Sequence, residues 1–179
     1  ASEHIEEGEE RARMLYEGLV RALPEDPADW GNEENACWLL AHQVDFYRRE
    51  MRSAWWEYFR LQELDPIDLL EERKGLSGLS YIETLPESGR VPVDRYSFPS
   101  QEISMDAGNE LHESQGEKIG TVHGVSLENR TIDIKKTGRT AGIHPSAVFV
   151  KEIVGSRILA DSFFNFIESV IKTGIDGDG

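Results

Sequence analysis

Apolar positions recur every three or four residues at the start of the chain. Ala12, Leu15, Tyr16, Leu19 and Leu23 fall on one side of a helix over residues 3 to 23, and glutamates crowd its first turns, where the helix dipole favours them. The stretch from Leu23 to Gly31 holds two prolines and breaks the period. Asn32 or Asn35 can cap a second helix, which runs from about Glu33 to Leu64 without an internal Gly or Pro. At about 1.5 Å per residue it spans roughly 45–50 Å, longer than a small domain needs. Leu39, Leu40, Val44, Tyr47, Met51 and Trp55 give it a broad apolar face, and the two helices are expected to pair as an antiparallel hairpin. Asp65-Pro66 opens a short third helix through about Lys74.

The period then changes to two. Leu79 to Leu85 and Val91 to Phe98 predict strands on either side of the turn-rich segment Pro86 to Gly89. Residues 100 to 116 are polar without a period and predict a loop. Lys118 to Ser126 and Arg130 to Lys136 alternate around a tight turn near Glu128-Asn129, and Ala147 to Val150 is a short last strand. Short strands joined by turns suggest a small barrel. From Val154 to about Thr173 the helical period returns, with Ile158, Leu159, Phe163, Phe166, Ile167 and Val170 in one stripe. The fold expected is α+β: a long antiparallel helical hairpin as a stalk, a small antiparallel β-barrel and a C-terminal return helix. The divisions are residues 1–76, 77–152 and 153–179. The ending Gly174 to Gly179 reads as a linker, and both ends read as boundaries inside a longer protein.

Charge narrows the functional classes. The chain has 34 acidic and 19 basic residues, a net charge of −15, so it does not resemble a general nucleic-acid binder. The acidity is uneven. Residues 1 to 75 hold 19 acidic and 9 basic side chains, whereas residues 115 to 151 hold six basic and three acidic. Any contact with DNA or RNA is expected from the second region, through Lys135, Lys136 and Arg139. Cys37 is the single cysteine, which leaves no disulfide framework or multi-cysteine zinc site within the chain and fits a reducing cytoplasm. No apolar run approaches 18 residues, so no membrane span is expected.

The chemistry-bearing motifs are few. The chain has no phosphate-binding glycine loop, no nucleophile elbow and no His-Glu-x-x-His pair. Its five histidines, at positions 4, 42, 112, 123 and 144, lack ligand spacing, and neither a metal nor a cofactor is expected. Ile132 to Lys136 resembles the Asp-x-Lys strand of RecB-type nucleases, in which a carboxylate holds a divalent metal. That chemistry needs a second carboxylate, and the preceding strand offers only His123. Asp133 and Lys135 also read as a cross-strand charge pattern on one face of a hairpin. No catalytic residue is assigned. Trp38, Trp55, Trp56, Tyr58 and Phe59 exceed what one two-helix seam buries, and are expected to dock on another domain or a second chain.

Leu39 to Glu50, Ala54 to Arg60 and Asp68 to Arg73 resemble the middle of large bacterial proteins that join a RecB-like nuclease region to a superfamily 1 helicase. Arg48-Arg49-Glu50 followed by Trp55-Trp56-Glu57-Tyr58-Phe59 is the most specific part. Tyr96 to Pro99 and the hairpin from Gly120 to Lys136 are similar to the barrel that precedes the helicase core in that family. The resemblance covers residues 36 to 179. It implies an accessory stalk and barrel that modulates nucleic-acid engagement, with helicase lobes, the nuclease region and DNA or RNA as partners. A free-standing module that dimerises through the long helix remains the alternative.

Overall fold

The computed structural model describes residues 2–86, 89–152 and 154–174. It contains helices α1 (Ser2–Arg21), α2 (Asn32–Glu63) and α3 (Val154–Thr173). The strands are β1 (Gly75–Ser77), β2 (Ser80–Thr84), β3 (Val93–Ser97), β4 (Glu110–Glu113), β5 (Lys118–Ser126), β6 (Thr131–Lys136) and β7 (Ala147–Lys151). The fold is α+β. The chain divides into two compact units, residues 1–55 with 155–179 and residues 56–154. The boundary falls within α2, between Trp55 and Trp56, because the last turns of that helix pack on β-strand residues. The expected linker, 175–179, lies outside the described residues, as do the side chains of Ile158 and Leu159 and the middle of the Pro86–Gly89 turn.

The helical unit follows its sequence pattern. Glu34 reaches back to the Gly31 N–H at 2.9 Å and Asn35 donates to the Gly31 carbonyl, which fixes the start of α2. Glu9 faces Arg52 at 3.7 Å, so α1 and α2 run antiparallel. Ala12, Leu15 and Leu19 of α1, Ala41 and Val44 of α2, and Phe164 and Ile167 of α3 form one buried cluster. Arg11 clasps α3 from outside it, with bonds to Glu168 (3.0 Å) and Asn165 (2.7 Å) and its guanidinium 5.5 Å from the Phe164 ring.

In the second unit the segment after Asp65 is a 3-10 turn, Asp68–Glu71, rather than the expected helix through Lys74. Leu69 is its one buried residue, and it packs with Leu61, Ala147 and Phe149, which leaves no apolar face to extend a helix. The stretch expected as a loop contains β4. A single inward apolar residue, Leu111, gives β4 no readable alternation, and pairing with both β5 and β7 makes it a strand.

All strand pairs are antiparallel, in the order β1-β7-β4-β5-β6-β3-β2. The expected barrel is not closed, since the ladder ends at β1 and β2. Yet these two edges are joined by Gly78 and Leu79 alone. A flat sheet of seven strands would hold its edges about 29 Å apart. Ser77 and Ser80 are three residues apart and can separate by no more than about 11 Å. The sheet must therefore roll until its edges nearly meet. Gly78 makes the corner, with φ of 73°, a conformation that glycine adopts at little cost. Leu76, Tyr96, Leu111, Ile132, Ile134 and Val148 fill the interior, all without measurable exposure. Gly120 lets β5 and β6 approach closely, because a Cβ there would overlap the Lys135 carbonyl.

Candidate functional site

Inward-facing positions of β3 and β6 carry two charges into the rolled sheet. Tyr96 pairs with Ile132 and Asp94 with Ile134, so Asp94 and Tyr96 share the inner face. On β6, Lys136 follows Ile132 and Ile134 on that face, and its side chain is fully buried. Lys136 Nζ donates to the Ile143 carbonyl, lies 3.9 Å from Asp94 Oδ2, and sits 5.2 Å from the centre of the Tyr96 ring. Burial pushes the Lys136 ammonium down from its ordinary range, and the Asp94 carboxylate opposes that shift. Burial, followed by the Asp94 charge, pushes the Tyr96 phenol up. Asp94 Oδ1 accepts from Thr84 at 2.7 Å, while Asp94 Oδ2 is buried without a hydrogen-bond partner. The Tyr96 hydroxyl lies 2.7 Å from His144 Nδ1, and the His144 ring is 4.2 Å from that of the half-exposed Tyr81.

A second polar chain holds the end of α2 to the sheet. His112 Nε2 lies 2.9 Å from Glu110 Oε1, and Tyr58 lies 3.5 Å from His112 Nδ1. Glu110 also accepts from Lys118 at 2.6 Å. Burial acts to raise the Glu110 carboxyl, but the bonds from Lys118 and His112 outweigh it and hold the group below its usual range. Burial pushes His112 down, against the pull of Glu110. A charged Glu110 beside a neutral His112 assigns the ring proton to Nε2, since a carboxylate only accepts. Nδ1 is then left to accept from Tyr58. Around this chain, Ser114 donates to the Leu64 carbonyl (3.0 Å) and Gln115 to Asp65 (2.8 Å).

The residues singled out by sequence separate. Lys135 and Arg139 are exposed and form no ion pair among the described residues. Lys136 does not join them. Strand alternation turns it into the core, so it cannot reach a phosphate. Asp133 shares the outer face with Lys135 and is held by Arg95 in a two-pronged contact of 2.7 and 2.8 Å. Trp56 is 67% exposed. Trp38 packs at a tilt against Trp30 and edge-on against His42 within its own unit. Trp55 is half-buried. Tyr58 does not project for a partner, because its ring packs on Phe149 and His112 of the sheet, and Phe59 packs against it in turn.

Among the described residues no group of three or more His, Cys, Asp or Glu could hold a metal ion, and no helix is long and apolar enough to cross a membrane. Comparison with protein-family models, with curated proteins and with solved structures found no match. The described residues form an α+β protein with three helices and a rolled antiparallel sheet whose interior carries a charged pair.

Two outcomes follow from these polar clusters. Lys136→Met strands the Asp94 charge and should cost about 3–5 kcal/mol in urea unfolding, while adding Asp94→Asn should recover most of that loss. His112 has a folded-state value below its ordinary 6.5, so its contribution is present above that pH and is lost as pH falls toward the folded value. His112→Gln should therefore flatten the drop in stability between about pH 7 and pH 5 relative to wild type, measured by urea unfolding.

Proposed function

We propose that this chain is an accessory module of a larger nucleic-acid motor of the helicase–nuclease kind, with no catalytic site of its own. In this reading the helical hairpin is a stalk, the rolled sheet takes the place of the family's barrel, and the module positions or modulates nucleic-acid engagement. The observation that carries the reading is the exposure of Lys135 and Arg139, neither of which forms an ion pair among the described residues. The likeness of residues 48–59 and 120–136 to that family supports the same assignment. The motor lobes and nuclease region would be its protein partners, with DNA or RNA passing beside the sheet.

The bidentate Arg95 contact weighs against a metal nuclease built on Asp133 and Lys135, because it occupies the carboxylate such a metal would need. A second reading, self-association through α2, draws on Leu39 and Phe46. They lie seven residues apart on that helix and are 68% and 50% exposed. Sedimentation decides between the two: a tight dimer lost in Leu39→Glu supports self-association.

Labelled single-stranded DNA and RNA, titrated at low salt and followed by fluorescence anisotropy, test the motor-module reading. Binding should weaken in the double variant Lys135→Ala with Arg139→Ala. The slope of log affinity against log salt should fall by about 1.4, at roughly 0.7 per phosphate contact on a single strand. Equal binding by wild type and variant, or none by either, contradicts the assignment.

A further inference from the structure

An amine and a carboxyl group meet inside the rolled sheet. Asp94 on β3 pairs with Ile134, two residues before Lys136 on β6, so the two side chains are diagonal neighbours on the inner face. Their side chains are 1% and 0% exposed, and Lys136 Nζ lies 3.9 Å from Asp94 Oδ2. That is ion-pair range but too long for a hydrogen bond. The ammonium directs its hydrogen bond to the Ile143 carbonyl instead. The carboxylate is itself fixed: the Thr84 hydroxyl donates to Oδ1 at 2.7 Å, and the Tyr96 phenol hydrogen-bonds the same group. A nucleophile and an acyl group are thus held side by side in a place with almost no access to water.

We propose that Lys136 and Asp94 join in an intramolecular amide, a covalent cross-link between β3 and β6 that forms after the sheet has folded. The charged pair of the newly folded chain is the reactant. The Nζ–Cγ bond forms and one Cγ–O bond breaks. The ammonium gives up two of its three protons, and both leave with that oxygen as one water, so atoms and charge balance without a further reagent. In bulk water hydration favours the separate ions. Inside the roll each ion bears a desolvation cost that a neutral amide removes. Fixed contact replaces a chance encounter and raises the effective concentration of the two groups by orders of magnitude. The nitrogen must lose a proton before it attacks, and burial eases that loss from Lys136. The Thr84 and Tyr96 hydroxyls can stabilise the negative charge that builds on the carboxyl oxygens as the nitrogen adds. The product leaves neither group of the pair unpaired. Its N–H keeps the Ile143 carbonyl, and its C=O accepts from Thr84. This inference does not depend on what the sheet binds.

Intact-mass spectrometry of the full chain tests the cross-link. Folded protein, incubated until its mass is constant, should be lighter than its sequence by one water. Trypsin should then release a branched peptide in which residues 91–95 are joined through Asp94 to residues 136–139, uncleaved after Lys136. Lys136→Met should keep its full mass, as should wild type held unfolded in guanidinium chloride for the same time. Protection of the Ile132 and Ile134 amides against hydrogen exchange reports that the wild-type sheet is folded. Full mass and unlinked peptides from that folded protein overturn the proposal. Equal cross-linking in the unfolded chain also overturns it, because the fold would then not be what joins the two groups. So does a water loss that maps to cyclised Asp176 or Asp178, each followed by glycine, while Lys136 is still cleaved.

Discussion

Gly78 and Leu79 are the only residues between the two edges of a seven-stranded sheet. That short tether constrains everything else in the second unit. It forbids a flat sheet, gives the roll an inside and an outside, and leaves one seam where the backbone ladder cannot continue. Other chemistry must close the seam, and here side chains and a loop do so. The inner face buries a continuous apolar cluster, while the outer face carries the Arg95–Asp133 pair and the exposed Lys135.

The charged pair inside the roll stands close to that seam. A lysine and an aspartate with almost no exposure are expensive to desolvate, and their attraction rarely repays the cost unless the remaining valences are filled. Lys136 fills part of its own through the Ile143 carbonyl, which ties the pair to the loop that covers the seam. Asp94 fills only one oxygen. The arrangement specifies where the loop must sit more than it stabilises the core.

Much of the outline was legible in the sequence. The three helices and most strands follow from periodicity, and β5 matches the expected Lys118–Ser126. The rest was hidden for physical reasons. In β4 one apolar residue carries no period, so the strand exists only through its neighbours. The run of short strands suggests a barrel, but closure is a long-range property that spacing does not encode. The burial of Lys136 does have a signal in the sequence. Positions 132, 134 and 136 share a face, and two isoleucines there mark it as inward, a pattern that the count of positive charges obscured. The contact of His144 with Tyr96 joins residues 48 apart and no local pattern announces it. Tyr58 packs on this chain's own sheet, a long-range contact that helical spacing does not announce.

The described residues thus form a helical unit and a rolled sheet, with Lys135 and Arg139 exposed. The roll itself is the central claim, and proton cross-peaks from nuclear Overhauser spectroscopy on the full chain test it most directly. The account predicts contacts between the Tyr81 and His144 rings and between the Leu79 amide and Ser146, together with those between Tyr96 and Ile132 across β3 and β6. If the Tyr96–Ile132 contacts are present while the Tyr81–His144 contact is missing, the sheet is formed but not rolled, and the account is wrong.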